Sequence, residues 1–245
     1  DKRIDLSLDQ NNKLVLSLLS VIASVSIVAE GESKLKASVN AGYTSNYIVN
    51  GLAKTGSQAF AGVDISTEYH GVNTYVGATV LDAGTGLDEL HANVGVGKSV
   101  NLFETFSLKV DAQIFQHQVA VGANSTEGRL TLSLDNKYIT PYVVGTYDLD
   151  VANRGYSQRG YIVGLKRQFD VFSLFTLTPS VEYGQMTDYE TASVKIDASK
   201  VLWDNLEVFG QVGWFDNNFD VVNYNFATEQ FVGDVAASAG VRWNF

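Results

Sequence analysis

Cysteine is absent from the 245-residue chain, which rules out a disulfide framework, a thiolate metal centre and a cysteine nucleophile. Proline occurs only twice and methionine once, at Met186. Basic residues are scarce: Lys and Arg total 17 against 27 Asp and Glu, a formal charge of −10. A phosphate-backbone binder needs a basic face, so nucleic acid is excluded as a partner. Long apolar runs are missing too, with one exception, Leu14–Ala29 (LVLSLLSVIASVSIVA). At ~1.5 Å of rise per residue this run is short for a spanning helix, which needs about 20 residues. Lys13 precedes it, small residues populate its end, and Glu30-Gly31 follow. That is the pattern of a secretory signal cleaved near Ala29, so residues 1–29 are expected to be upstream remnant plus signal peptide, and 30–245 the mature domain. The leader holds Asp1, Asp5 and Asp9 against Lys2, Arg3 and Lys13, so its loss leaves the net charge unchanged.

What the sequence does contain is glycine (22), aromatics (13 Phe, 12 Tyr, 3 Trp) and alternation. From Ser33 onward, short period-2 runs are split by turn residues, and no 3.6-residue period emerges. Leu35, Ala37, Val39 and Ala41 alternate with Lys36, Ser38, Asn40 and Gly42. Comparable runs centre on Ala61–Glu68, Thr74–Leu81, Leu90–Gly97, Phe106–Gln113, Arg129–Asp135, Tyr142–Tyr147, Tyr161–Lys166, Leu177–Tyr183, Val194–Ser199 and Leu206–Trp214. The twelfth is the carboxyl end, where Val235, Ala237, Ala239, Val241, Trp243 and Phe245 share one side.

Polarity across these runs is inverted relative to a soluble barrel. The face opposite the apolar one carries Lys36, Asp64, Glu68, Lys109, Asp111, Arg129, Lys166, Glu182, Lys195, Asp197 and Arg242. Burying such groups unpaired in a dry interior costs several kcal/mol each. A wetted lumen removes that cost while the apolar face meets lipid. Connections alternate as well: His70–Asn73, Asp135–Tyr138 and Trp203–Asn205 are tight, whereas Gln116–Gly128, Asp148–Ser157 and Asp216–Glu229 are long and polar. Aromatics gather at strand ends in two groups, Tyr69, Phe103, Phe106, Tyr138, Phe169, Phe172, Phe175, Trp203, Trp243 and Phe245 at one and Tyr43, Tyr47, Tyr147, Tyr183 and Trp214 at the other. These are interfacial girdles. The expected fold is all-β: a single antiparallel transmembrane β-barrel of twelve strands, with ten and fourteen as the alternative counts, and with short periplasmic turns and longer extracellular loops.

Two stretches resemble known families. The final strand, with apolar residues at alternate positions and an aromatic terminus, resembles the closing strand of bacterial outer-membrane barrels. That resemblance implies that Trp243 and Phe245 serve as an assembly signal read by the barrel-assembly machinery. Gly42-Tyr-Thr-Ser-Asn-Tyr-Ile-Val-Asn-Gly51, with Gln58-Ala-Phe-Ala-Gly-Val-Asp64 and Thr74-Tyr-Val-Gly77, resembles the opening hairpins of a proteobacterial, porin-like barrel family whose first strand reads T-S-D-Y-x-x-R-G. Asn46 and Asn50 stand where that family has Asp and Arg. The implied setting is the Gram-negative outer membrane, with lipid and lipopolysaccharide as neighbours.

Chemistry is harder to find. His117 opens the predicted Gln116–Gly128 loop, with Asn124 and Ser125 at its far end, but the contiguous motif of a barrel phospholipase is missing. A barrel protease needs acidic pairs and a histidine at the outer rim; Asp82, Asp88 and Glu89 are near that rim, but His91 points inward one strand turn lower, and His70 lies in a periplasmic turn. Neither a catalytic group nor a metal or cofactor site is expected, and the chain is read as a non-enzyme. The glycines of Val94-Gly-Val-Gly97 face the lumen and leave room for opposing side chains. External loops carry acids, Asp82, Asp88, Glu127, Asp148, Asp150, Asp188, Glu190, Asp216, Asp220 and Glu229, against Lys54 and Arg154. Such a vestibule concentrates cations, and divalent ions would bridge it to lipopolysaccharide phosphates. The functional expectation is a narrow channel for small solutes or ions with weak cation preference. A structural or interaction barrel closed by its own ion pairs, Lys109/Asp111 and Lys195/Asp197 among them, stands as the alternative, and a barrel hydrolase after it.

Overall fold

A computed structural model describes residues 34–45, 47–49, 52–55, 58–82, 89–119, 125–149, 159–217 and 235–245. The proposed signal peptide, and with it the residue 1–29 boundary, lies outside these. Alternating apolar and polar residues fold into fifteen strands: β1 Lys34–Thr44, β2 Tyr47–Val49, β3 Leu52–Thr55, β4 Gln58–Tyr69, β5 Val72–Asp82, β6 Glu89–Phe103, β7 Phe106–Val119, β8 Ser125–Asn136, β9 Thr140–Asp148, β10 Gly160–Lys166, β11 Phe169–Val171, β12 Phe175–Met186, β13 Glu190–Trp203, β14 Leu206–Asn217 and β15 Val235–Asn244.

Twelve of them close a ring. Neighbours pair antiparallel in the order β1-β4-β5-β6-β7-β8-β9-β10-β12-β13-β14-β15, and β15 returns to β1. Closure removes the edges that an open sheet would leave unpaired. The seam is held by seven facing pairs from Ser38↔Asn244 to Thr44↔Ser238, and the Phe245 amide donates to the Ala37 carbonyl at 2.8 Å. Every alternating run read from the sequence is one of these twelve strands. Outside the ring, β11 adds a short edge to β12 at the rim where β1 begins and β15 ends, the rim of the barrel's strand termini, and β2 pairs with β3 as a separate hairpin.

Turn chemistry explains the short connections. His70 and Gly71 both adopt left-handed backbone (φ 49° and 73°), the two-residue hairpin geometry that suits twisted strands. Asn136 organises the β8–β9 turn, its Oδ1 accepting from the amides of Tyr138 and Ile139 at 2.9 and 3.0 Å. One predicted loop is much shorter than expected. Within Gln116–Gly128, residues 116–119 complete β7 and 125–128 open β8. Polar residues there continue the strand alternation on the inner face, which composition alone reads as loop.

The wall has no dry core in the usual sense. Val80, Ile114, Leu130 and Val194 are each about half exposed and point outward, whereas Glu127, Asp148 and Gln58 are all but buried inside. Phe103, Tyr138, Phe172, Trp203 and Phe245 are exposed at the rim of the termini, and Tyr43, Tyr147, Tyr183 and Trp214 are exposed toward the other. This inside-out distribution is stable only when lipid covers the outer face.

Candidate functional site: the lumen and its outer mouth

Register decides what enters the lumen. Pairs such as Asn40↔Arg242, Asn40↔Gly62, Asp64↔Gly77, Asp111↔Thr131, Glu182↔Ser193 and Lys195↔Gly213 place these residues on one common inner face. Lys36, Glu68, Lys109 and Lys166 lie on that face near the rim of the termini, and Arg129 and Asp197 lie deeper. Inside is a cavity of about 590 Å³ with lining residues from all twelve wall strands, among them Asn40, His91, Arg129, Glu182, Lys195 and Arg242. Phe60, Phe115, Phe209 and Phe215 add aromatic surface to the same space.

Glycines make room for the inner side chains. A Cβ on Gly95 would sit 2.3 Å from the Tyr75 ring, and one on Gly97 would sit 2.7 Å from the Asp111 carboxylate. Tyr75 thus crosses over β6 and donates to Asp111 Oδ1 at 2.7 Å. Tyr142 lies over Gly164 in the same way and donates to Glu182 Oε1 at 2.5 Å. Glu182 also accepts from Lys195 Nζ at 2.6 Å and Ser193 Oγ at 3.1 Å. Asp197 accepts from Gln211 at 2.6 Å, Arg242 reaches Glu207 at 3.0 Å, and Asn40 donates to Asp64 at 3.0 Å. The partner of Lys195 is therefore Glu182, not Asp197, and that of Asp111 is Tyr75, not Lys109. Each of these contacts joins a strand to its neighbour or next neighbour. They run along the wall.

Further acids join the inner face that were not assigned to it from the sequence. Asp148 and Glu127, expected in external loops, face each other across β9 and β8 and are almost fully buried, with Glu127 bound to Arg129. Glu127 follows the strand alternation one step beyond Arg129, and Asp148 continues it between the exposed Tyr147 and Leu149. Glu207 faces Arg242, and Glu89 lies at the outer end of β6. The near balance of inner charges is thereby tilted to the acidic side among the described side chains. Asp216 and Glu190 are exposed strand-end residues on the outward face, and Asp188 is exposed in the β12–β13 turn. Asp82 ends β5, while Asp88, Asp150, Asp220 and Glu229 lie outside the described residues.

At the outer mouth, sequence reasoning missed a cluster. His117 is not the start of a loop but a residue of β7 directly opposite His91 on β6. Glu89 Oε2 receives His117 Nε2 at 2.8 Å and His91 Nε2 at 3.2 Å. The two imidazoles meet edge to face at 4.4 Å, and Phe115 packs edge-on against His91 at 5.6 Å. Glu89 and His91 are buried, His117 nearly so. The signal was a Glu-x-His spacing, which places both side chains on one face of a strand. The third member came from a strand pairing that no local pattern reveals.

A separate concavity of about 760 Å³ lies on the outer wall, where Gly128 and Gly145 leave space beside Ile114 and Leu130. It belongs to the lipid-facing belt rather than to the lumen.

No family model and no curated protein matches the sequence, so the family suggested by the opening hairpins is not established. Solved structures do match. The KdgM porin superposes with a TM-score of 0.55 at 10% identity, covering 85% of this chain and 99% of that one. The NanC porin gives 0.52 at 12%, covering 84% and 98%. Outer membrane phospholipase A from Escherichia coli gives 0.51 at 12%, covering 84% and 92%. The fold is that of an outer-membrane β-barrel. An apolar wall bounded by aromatic rings sets the barrel across a bilayer, and architectures of this kind belong to the bacterial outer membrane. At such identities the likeness carries architecture only, and the chemistry rests on this chain's own residues.

Proposed function

We propose that the barrel is a narrow channel for small solutes or ions with a preference for cations. The observation that carries this reading is the central cavity lined from every wall strand, with the inner ion pairs lying along the wall instead of bridging it. Had the charges paired across the lumen, the closed structural barrel would be favoured.

Cation preference follows from Glu89, Glu127, Asp148 and Glu207 joining the inner face. Fields inside a narrow, low-dielectric wall are screened less than those of exposed loops, whose reach is about 10 Å at 0.1 M salt. Preference should therefore fall only partly as salt rises. One KdgM structure is described as a complex with oligogalacturonate, an acidic sugar chain. An acid-rich wall is poorly suited to such a polyanion, so we assign this barrel cations or neutral solutes instead. A second reading, a barrel hydrolase, draws only on the likeness to the phospholipase, and we treat the barrel as a non-enzyme.

Planar-bilayer recording across a KCl gradient tests the proposal. The expected result is discrete conductance with a cation-positive reversal potential, reduced by Glu127→Gln and Asp148→Asn. Anion preference would refute the charge argument. No conductance would transfer the reading to the closed barrel.

A further inference from the structure

The geometry points to a divalent transition-metal site at the outer mouth of the lumen, held by Glu89, His91 and His117. It does not depend on the channel being open.

Three observations converge. First, the ligand set is right: two imidazoles and one carboxylate are the donors that zinc-class ions take, leaving a further position for water. Second, the spacing is right. The three donor atoms lie within 4.8 Å of one another, with Glu89 Oε2 at 2.8 Å from one Nε2 and 3.2 Å from the other. A tetrahedral ion with ligand bonds of ~2.1 Å holds its donors roughly 3.4 Å apart, so two of the three separations need only a small adjustment. Third, the donors are pre-aimed. Edge-on packing of the two histidines and of Phe115 against His91 fixes the ring planes, and rigid strands carry all three ligands.

In the arrangement seen here, an ionised Glu89 can only accept, so each ring presents an N–H at Nε2. Coordination would use the Nε2 lone pairs, leaving each imidazole proton at Nδ1. The ion thus replaces two hydrogen bonds with three metal–ligand bonds. The Arg129 guanidinium on the adjoining strand β8 bears on His91 as a like charge, and Glu127, which binds that guanidinium, offsets it. His91 also lines the central cavity, which gives the fourth position a route to water.

The test uses the untagged, refolded barrel, stripped with a chelator and dialysed against Zn²⁺. One ion per chain is expected. His91→Ala and His117→Ala should each weaken binding by at least about 100-fold, the upper end of what losing a mere supporting group costs. His70→Ala should leave it unchanged, since His70 lies in the turn at the opposite rim against Tyr69. Millimolar Ca²⁺ or Mg²⁺, which seek oxygen ligands, should not displace the ion. Failure of the wild-type chain to bind, or full binding by the His91→Ala/His117→Ala double variant, overturns the site. Because an alanine variant can misfold, Co²⁺ is added to the wild type as a second measurement. Visible d–d absorption stronger than that of aqueous Co²⁺, and abolished by Zn²⁺, supports coordination at the site, and a spectrum no different from that of aqueous Co²⁺ overturns the proposal alone.

Discussion

A charge walked along the last strand tests both which face meets lipid and how deep each position lies. Ala239 and Val241 of β15 are exposed on the outer wall, paired with Tyr43 and Ala41 of β1, whereas Ser238 faces inward and lines the lumen cavity. At about 3.4 Å per residue on a strand tilted by ~40°, each residue climbs roughly 2.6 Å along the membrane normal. Taking Trp243 as the interfacial marker, Val241 then lies ~5 Å into the apolar band and Ala239 ~10 Å, close to the middle of a band about 25 Å tall. Arginine near the midplane costs about 2–4 kcal/mol, and the cost falls toward 0–1 kcal/mol at the interfaces. Ala239→Arg is therefore expected to lose about 2–4 kcal/mol. Val241→Arg, able to stretch its guanidinium past Trp243, should lose roughly 1–2 kcal/mol. Ser238→Arg enters water and should lose under about 1 kcal/mol. Equilibrium urea unfolding in phospholipid vesicles, with tryptophan emission as the probe, measures all three against wild type. The order of cost must be 239, 241, 238. If Ser238→Arg is the most damaging, the inner and outer faces have been exchanged, as a one-residue register slip would do. If 239 and 241 cost the same, the depth assignment fails.

Four more outcomes are expected. Gly42→Ala would bring a Cβ to 2.3 Å from the Ala239 carbonyl at the closing seam, and overpacking of that kind should cost about 1–3 kcal/mol. Gly145→Ala meets only the Leu130 carbonyl at 3.9 Å, so it should stay within about 0.5 kcal/mol in the same urea assay. Deleting Phe245 removes one seam hydrogen bond, about 1 kcal/mol in detergent refolding, but should impair insertion in cells far more if it is an assembly signal. Equal loss in the two settings would make it a packing residue only. Glu182→Ala strips Lys195, Tyr142 and Ser193 of their shared acceptor, costs about 1–3 kcal/mol, and should shift the reversal potential toward anions.

Much of the barrel was legible because its physics is local. Period-2 alternation depends on successive side chains pointing to opposite faces, so the residues facing lipid could be read strand by strand. Tight turns at His70-Gly71 and around Asn136 were marked by residue types that suit their geometry. Reading stopped where polarity continued on both sides of a strand end. Asp148, Glu127 and His117 looked like loop residues because polar composition resembles a loop whether the backbone is paired or not.

What the sequence determined by itself was the class of structure. Charges alternating with apolar residues, between aromatic strand ends, can be reconciled only by water on one side and lipid on the other. Tertiary structure alone decided the partners. Register brought His117 beside His91 and Glu89, set Glu182 rather than Asp197 against Lys195, and laid Tyr75 over Gly95 to reach Asp111. Those contacts depend on how strands slide past one another and where the ring closes. Both are properties of the whole sheet, set by its long-range pairings, and no short window of sequence contains them.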